Sequence, residues 1–185
     1  MAKRGLKICL IVSTLFLIIV SIVTITLIFT VFKPKDPTIG VNFAHFNFLS
    51  PNMPMNVTLG MIITIMNPNY GSFKYQNCTG YITYNDTIVG NVPIESQFVP
   101  SRSEINVNTS ANFMVGKLIQ NPNFWSDIIK NKMRFNLTST TELPGKAIVL
   151  KYIKLKAIAS CSCDISVNIT SNGVESNCIS RIKLF

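Results

Sequence analysis

The sequence predicts a mainly β protein, an antiparallel β-sandwich that follows one N-terminal transmembrane helix. Three observations carry that expectation. The 25 residues Ile8–Phe32 contain no charged side chain. From Ile39 onward the apolar residues recur with period two, the signature of half-buried strands. Four of the five cysteines and all six Asn-x-Ser/Thr sequons lie after the apolar run.

A helix of that length is about 37 Å long. It can cross a hydrocarbon core about 30 Å thick with some tilt. Its polar residues are Ser13, Thr14, Ser21, Thr24, Thr26 and Thr30, whose hydroxyls can bond back to helix carbonyls. The run is too long for the apolar region of a cleaved signal peptide, and Thr30-Val31-Phe32-Lys33-Pro34 offers no small-x-small cleavage site. No face is polar, which argues against a buried soluble helix. Lys3, Arg4 and Lys7 precede the span, and Lys33 and Lys35 follow it. This three-to-two basic bias makes residues 1–7 a cytosolic tail and residues 8–32 an uncleaved signal anchor. The domain is then extracytosolic.

Pro34-Lys35-Asp36-Pro37 gives residues 33–38 the character of a stiff stem, because proline restricts itself and its predecessor. Residues 39–185 form the domain. Val57, Leu59, Met61, Ile63 and Ile65 share one strand face, and Ile105, Val107, Thr109, Ala111, Phe113 and Val115 another. The longest alternation runs from Ile153 to Ile169 through Leu155, Ala157, Ala159, Cys161, Cys163, Ile165 and Val167. It predicts a strand with one dry and one wet face, with a bulge near Tyr152 to absorb the opposite parity of Ile148 and Leu150. Weaker strands are expected at Val41–Phe48, Phe73–Tyr84, Ile88–Val99, Met133–Leu137 and Val174–Leu184. Tyr84-Asn85-Asp86-Thr87 and Ser171-Asn172-Gly173-Val174 read as hairpin loops. One short helix is expected, with Asn121 as cap, Pro122 in the first turn, and Trp125, Ile128 and Ile129 as its apolar face.

The net charge of +9 is less informative than it looks, since residues 36–185 hold twelve basic against eight acidic side chains. No arginine-rich run or stripe appears, so nucleic acid is not an expected partner. A weak attraction to anionic lipid or wall polymer is compatible with the charge. Chemistry is also sparse. His45 is the sole histidine, which excludes a multi-histidine metal centre. No nucleophile elbow, paired carboxylates or glycine-rich phosphate loop occurs. We therefore expect no enzyme, and no catalytic, cofactor-binding or metal-binding residue. Phe43, Phe46, Phe48, Tyr70, Phe73, Tyr75, Tyr81 and Tyr84 read mostly as core.

The sequons are Asn56, Asn77, Asn85, Asn108, Asn136 and Asn168. Asn56, Asn108, Asn136 and Asn168 fall on wet strand parity and Asn85 in a turn, positions open to a glycan. An even number of cysteines in an oxidising compartment suggests disulfides among Cys78, Cys161, Cys163 and Cys178. A tight turn at Asn172-Gly173 would pair Val167 with Cys178 and Cys163 with Ile182. A wider loop from Asn168 to Gly173 would set Cys163 opposite Cys178. Both keep the dry face dry.

The span near the N-terminus, the Pro34-Lys35-Asp36-Pro37 stem, Asn67-Pro68-Asn69 with Tyr75 six residues on, the hairpin Tyr84-Asn85-Asp86-Thr87-Ile88-Val89-Gly90, and a C-terminal strand pair bearing cysteines together resemble a plant family. It is the late-embryogenesis-abundant type 2 group, which includes the harpin-induced, disease-resistance-associated membrane proteins. The resemblance covers nearly the whole chain. It implies an immunoglobulin-like sandwich, a plasma-membrane location, roles in defence and stress responses, and no catalytic residues. Paired C-terminal cysteines in relatives imply the wider loop and a Cys163–Cys178 bond, with Cys78 joined to Cys161 or free. Some relatives end in an apolar tail suited to a lipid anchor; Ile179-Ser180-Arg181-Ile182-Lys183-Leu184-Phe185 is too short and too charged. The expected partners are the membrane crossed by the single span and, beyond it, cell-wall polymer, lipid or another membrane protein. The alternative function is a lipid-handling module, for which an apolar pocket close to the stem is the discriminating feature.

Overall fold

The computed structural model describes residues 2–31, 33–43, 55–150, 152–171 and 173–185. His45, Phe46 and Phe48, and with them the second half of the Val41–Phe48 strand, lie outside the described residues, as does Asn172. The chain divides into two compact units, Met1–Pro34 and Lys35–Phe185.

The first unit is helix α1, Ala2–Val31. Its Lys7–Leu27 segment has a mean hydropathy of 3.0 and is wholly exposed. Five of the six hydroxyls in the apolar run bond within the helix. Ser21, Thr24, Thr26 and Thr30 each donate to the carbonyl four residues back, at 2.7–2.8 Å, and Thr14 to Leu10 at 3.0 Å.

The second unit holds ten described strands and two short helices. The strands are β1 (Thr38–Phe43), β2 (Asn56–Asn67), β3 (Ser72–Tyr75), β4 (Cys78–Tyr84), β5 (Thr87–Ile94), β6 (Phe98–Val99), β7 (Ser103–Met114), β8 (Arg134–Val149), β9 (Ile153–Asn168) and β10 (Gly173–Leu184). Helices α2 (Val115–Gln120) and α3 (Pro122–Lys130) separate β7 from β8. All pairings are antiparallel, in the order β1-β2-β7-β5-β4-β8-β9-β10, with β3 added to β8 and β6 to β3. The sheet curls until β10 faces β1, so it is nearly closed into a barrel. Side chains bridge that seam. Ser176 Oγ donates to Val41 O at 3.0 Å, Ser180 Oγ donates to Pro37 O, and Asp36 Oδ1 accepts from Ile182 N at 3.0 Å.

The alternations fold as patterned. Met61, Ile63 and Ile65 of β2, Val107, Ala111 and Phe113 of β7, and Ala157 through Val167 of β9 point inward. Other elements differ from expectation. The Phe73–Tyr84 and Ile88–Val99 stretches each divide into two strands. Val115 leaves its strand to start α2. Asn121 caps α3 as expected, accepting from Asn123 N at 3.0 Å, but the helix buries Phe124 and Ile128 and leaves Trp125 and Ile129 exposed. The aromatics against the sheet explain the choice: Phe124 meets Tyr84 and Phe135 edge-on, at 5.9 and 5.3 Å between centroids.

The largest difference is β8. It continues from Leu137 to Val149 through Pro144-Gly145, residues that ordinarily end a strand. Sixteen direct pairings with β9 carry it through. Pro144 lacks a donor, yet its carbonyl accepts from Gln76 N at 2.9 Å. Gly145 is needed because a Cβ there would run into the Lys74 carbonyl and the Phe73 ring of β3. The parity change near Tyr152 is a hairpin turn between β8 and β9, not a bulge in one strand. The Asn85-Asp86 turn is as expected, with φ of 43° and 63°, the left-handed pair of a tight hairpin.

Asn67 is a buried polar residue, 5% exposed. Its amide nitrogen donates to Gly71 O at 2.9 Å and Pro100 O at 3.0 Å, and its oxygen accepts from Asn69 N at 3.0 Å. Asn69 in turn clasps the Lys35 backbone twice at 2.7 Å, accepting from its N–H and donating to its carbonyl. The Asn67-Pro68-Asn69 terminator therefore ties three chain segments together, and the second half of the stem belongs to the domain. Asn67→Ala should lower stability by about 3 kcal/mol in urea unfolding, because it strands several buried backbone groups. Tyr75 offers the opposite case. It is 1% exposed, and among the described residues its hydroxyl has no partner. Tyr75→Phe should leave stability unchanged or raise it by up to about 1 kcal/mol in the same measurement.

Candidate functional site

Two features of the domain stand apart from ordinary packing. One is a surface at the end where the stem enters; the other is a cysteine cluster on the β9 inner face.

The stem end is built by chain ends and turns. Lys35 is held by Asn69, whose carbonyl accepts from Arg102 N at 3.0 Å. The Arg102 guanidinium lies 3.8 Å above the Tyr70 ring, a cation–π contact. Gly71 abuts Ile148 and Val149, next to the β8–β9 hairpin. At that hairpin Leu150, Tyr152 and Ile153 are 63%, 88% and 51% exposed, while Lys151 between them lies outside the described residues. Leu150 also has φ of 51°, a left-handed conformation that a branched side chain adopts at a cost. Turn tips normally carry Gly, Asn, Asp or Ser.

Behind the tip, the outer face of the sheet carries a row of lysines. Lys74 of β3 stands directly opposite Lys146 of β8, and Lys146 directly opposite Lys156 of β9. Directly opposed residues place their Cβ atoms about 4.5–5.5 Å apart, so like charges there repel. Lys154, two residues from Lys156, shares the face. So does Lys183 of β10, which is paired with Ile158. All five are exposed, and among the described residues none meets a carboxylate in an ion pair. Phe98, Ile148, Ile158 and Phe185 line, with Lys74, Lys146, Lys154 and Lys156, a wide, open groove of about 1090 Å³.

In the cysteine cluster, β10 pairs with β9 in the wider register. Gly173 lies opposite Asn168 and Cys178 opposite Cys163. Asn168 Oδ1 shapes the connecting loop by accepting from Thr170 N at 3.0 Å and Ser171 N at 3.3 Å. A disulfide joins Cys163 to Cys178 across the ladder, with Cα atoms 4.0 Å apart. Cys161 is a free, buried thiol 3.6 Å from Cys163 Sγ, and the three sulfurs lie within 4.8 Å of one another. Burial pushes the Cys161 thiol up to about 11, which suppresses the thiolate needed for exchange or metal binding. Cys78 is free and half-buried at the start of β4, its pKa also raised by burial. Cys9 is a free, exposed thiol on α1.

An interior cavity of about 40 Å³ opens beside this cluster, lined by Ile39, Ile63, Ile82, Val107, Cys161, Cys163 and their neighbours. A water molecule needs roughly 10–15 Å³ by this measure, so the cavity admits a few small molecules and no acyl chain. Of the sequons, Asn56, Asn77, Asn85, Asn108 and Asn136 are exposed and Asn168 is half-buried in its loop. Sequence reasoning missed the lysine row, whose members are scattered over more than a hundred positions and meet only through register.

No family model matches the sequence, and no curated protein matches it. Among solved structures the chain is similar to a protein from Archaeoglobus fulgidus, at 10% identity and a TM-score of 0.38, over 82% of this chain and 96% of that one. A likeness at that level carries no functional information.

Two outcomes follow from the buried groups. The bond closes a span of 15 residues, so reducing it, or substituting Cys178→Ser, should cost about 3 kcal/mol in denaturant unfolding. The second concerns alkali. Burial raises Cys161 from 9.0 to about 11. Burial and, secondarily, Cys78 raise Tyr75 from 10.0 to about 12. The unfolded chain thus loses protons first, and stability should fall as pH climbs from about 9 towards 12. Melting temperature against pH checks this, and Tyr75→Phe should flatten the upper part of the decline.

Proposed function

We propose that the protein is a non-catalytic, single-pass membrane protein that presents its β domain outside the cytosol, at the plasma membrane of a plant cell. The observation that carries the proposal is α1, whose Lys7–Leu27 segment is apolar on every side and wholly exposed, an arrangement suited to lipid and not to water. The disulfide and the exposed sequons suit an oxidising, glycosylating compartment. On this reading the domain follows the late-embryogenesis-abundant type 2 pattern. The nearly closed sheet is then an immunoglobulin-like sandwich flattened around its core, and its role lies in defence and stress responses. The small interior cavity favours surface contact over the alternative of interior lipid handling, which would need a pocket of roughly 300 Å³ or more.

Microsomes made cytosol-side out test the topology. The Lys35–Phe185 unit should resist added protease until detergent opens the vesicles, and glycosidase should lower the apparent mass of the native protein. Digestion of the domain in intact vesicles would sink the proposal.

A further inference from the structure

We infer that the lysine face and the exposed side chains of Leu150, Tyr152 and Ile153 together form a docking surface for a bilayer bearing anionic phosphate headgroups. The inference deepens the proposal above and rests on Ile8–Phe32 being a membrane anchor.

Four observations converge on it. First, Lys74, Lys146 and Lys156 stand in direct cross-strand opposition, an arrangement that repels itself unless an external anion neutralises it. Second, Lys154 and Lys183 extend the same face, while Phe98, Ile148 and Phe185 share the groove with Lys74, Lys146, Lys154 and Lys156. Basic and apolar side chains interleaved on one face are what an interface of headgroups and acyl chains accepts. Third, the hairpin tip next to this face exposes Leu150, Tyr152 and Ile153. Leu150 holds an unfavourable backbone conformation there, and its 63% exposure shows that the core does not use its side chain. Tyrosine at such a tip suits the headgroup level, with its ring in the apolar boundary and its hydroxyl in water.

Fourth, the stem enters the domain at this end. Lys35 is fixed to Asn69, one residue before the exposed Tyr70. Only two residues separate Phe32 from Lys35, about 10 Å of extended chain. In an anchored chain so short a connection bounds how far Lys35 can stray from the bilayer. The tether supplies a high effective concentration, so even modest attraction suffices to hold the face down.

An anionic polymer would use the lysines but leave Leu150, Tyr152 and Ile153 in water. The experiment is chosen to tell the two apart. Full-length protein carrying Tyr152→Trp in a Trp125→Phe background is reconstituted into nanodiscs of phosphatidylcholine, with or without phosphatidylglycerol, containing brominated acyl chains. Retention in the disc after alkaline carbonate reports the anchor by itself; quenching of the new tryptophan reports docking, so the two fail separately. Quenching with a blue-shifted emission is expected in the anionic discs and not in the zwitterionic ones. It should weaken in high salt, where the screening length shrinks to about 3 Å. Each lysine near an anionic surface strengthens attachment about fivefold, so Lys74→Gln, Lys146→Gln and Lys156→Gln combined should weaken docking on the order of a hundredfold. If that triple variant fails to fold, the Lys154→Gln, Lys183→Gln pair gives the same test on exposed positions. Equal quenching with both lipids, no quenching with either, or an emission change produced by soluble polygalacturonate and not by the anionic discs would each overturn the inference.

Discussion

The pairing of β8 with β9 is the constraint on which the domain depends. Sixteen residues of one strand face sixteen of the other without a slip, from Arg134 opposite Asn168 to Val149 opposite Ile153. The alternation of β9 makes the register unique, because a one-residue shift would drive Cys161, Cys163, Ile165 and Val167 into water. Other strands are placed by this pair. β4 and β3 dock on successive parts of β8, and β10 docks on β9. Alanine and cysteine at the inner positions of β9 take little volume, which lets the sheet curl tightly over them. The same register that closes the core aligns the lysines outside it, so the charged face is a by-product of the longest pairing in the fold.

Much of this was legible in the residues. Period-two runs identified the inner faces of β2, β7 and β9, and Asn85-Asp86 marked its hairpin. What failed did so for physical reasons. The expected strand stopped at Leu137, short of Pro144-Gly145, because propensity is local, whereas the ladder to β9 and the carbonyl bond to Gln76 are not. Trp125, Ile128 and Ile129 read as the apolar face of α3; Ile128 is buried, but Phe124, which meets Tyr84 and Phe135, takes the place expected of Trp125 and Ile129. Spacing alone left two registers open for the C-terminal hairpin. Asn168 distinguishes them in three dimensions, by capping the loop amides of Thr170 and Ser171. The candidate surface was least legible of all. Lys74, Lys146, Lys156 and Lys183 look like ordinary wet-face residues until four strands lie side by side.

The polar interior is economical. Asn67 satisfies its amide with three backbone partners and in doing so fixes the entry of the stem. Tyr84 donates to Asp127 at 2.6 Å, and burial together with that carboxylate pushes its phenol up. That bond joins α3 to the sheet at the end opposite the stem. The two ends are thus locked by different means, one by amides bridging loops and the other by a phenol clasped to a helix among rings that meet edge to face.

The seam between β1 and β10 has a consequence for how copies of the chain meet. An exposed strand edge is a template for pairing with another molecule. Here the two long edges are turned toward each other and bridged through Asp36, Ser176 and Ser180. Proteins confined to a surface collide far more often in the plane than they would in solution. On the proposed membrane anchoring, turning β1 and β10 toward each other in one seam removes a simple path to sheet-to-sheet polymerisation. It also defines the path that remains: a seam that opens frees β1 to seek the β10 of a neighbour, and strand exchange between two copies would rebuild the same contacts across the pair.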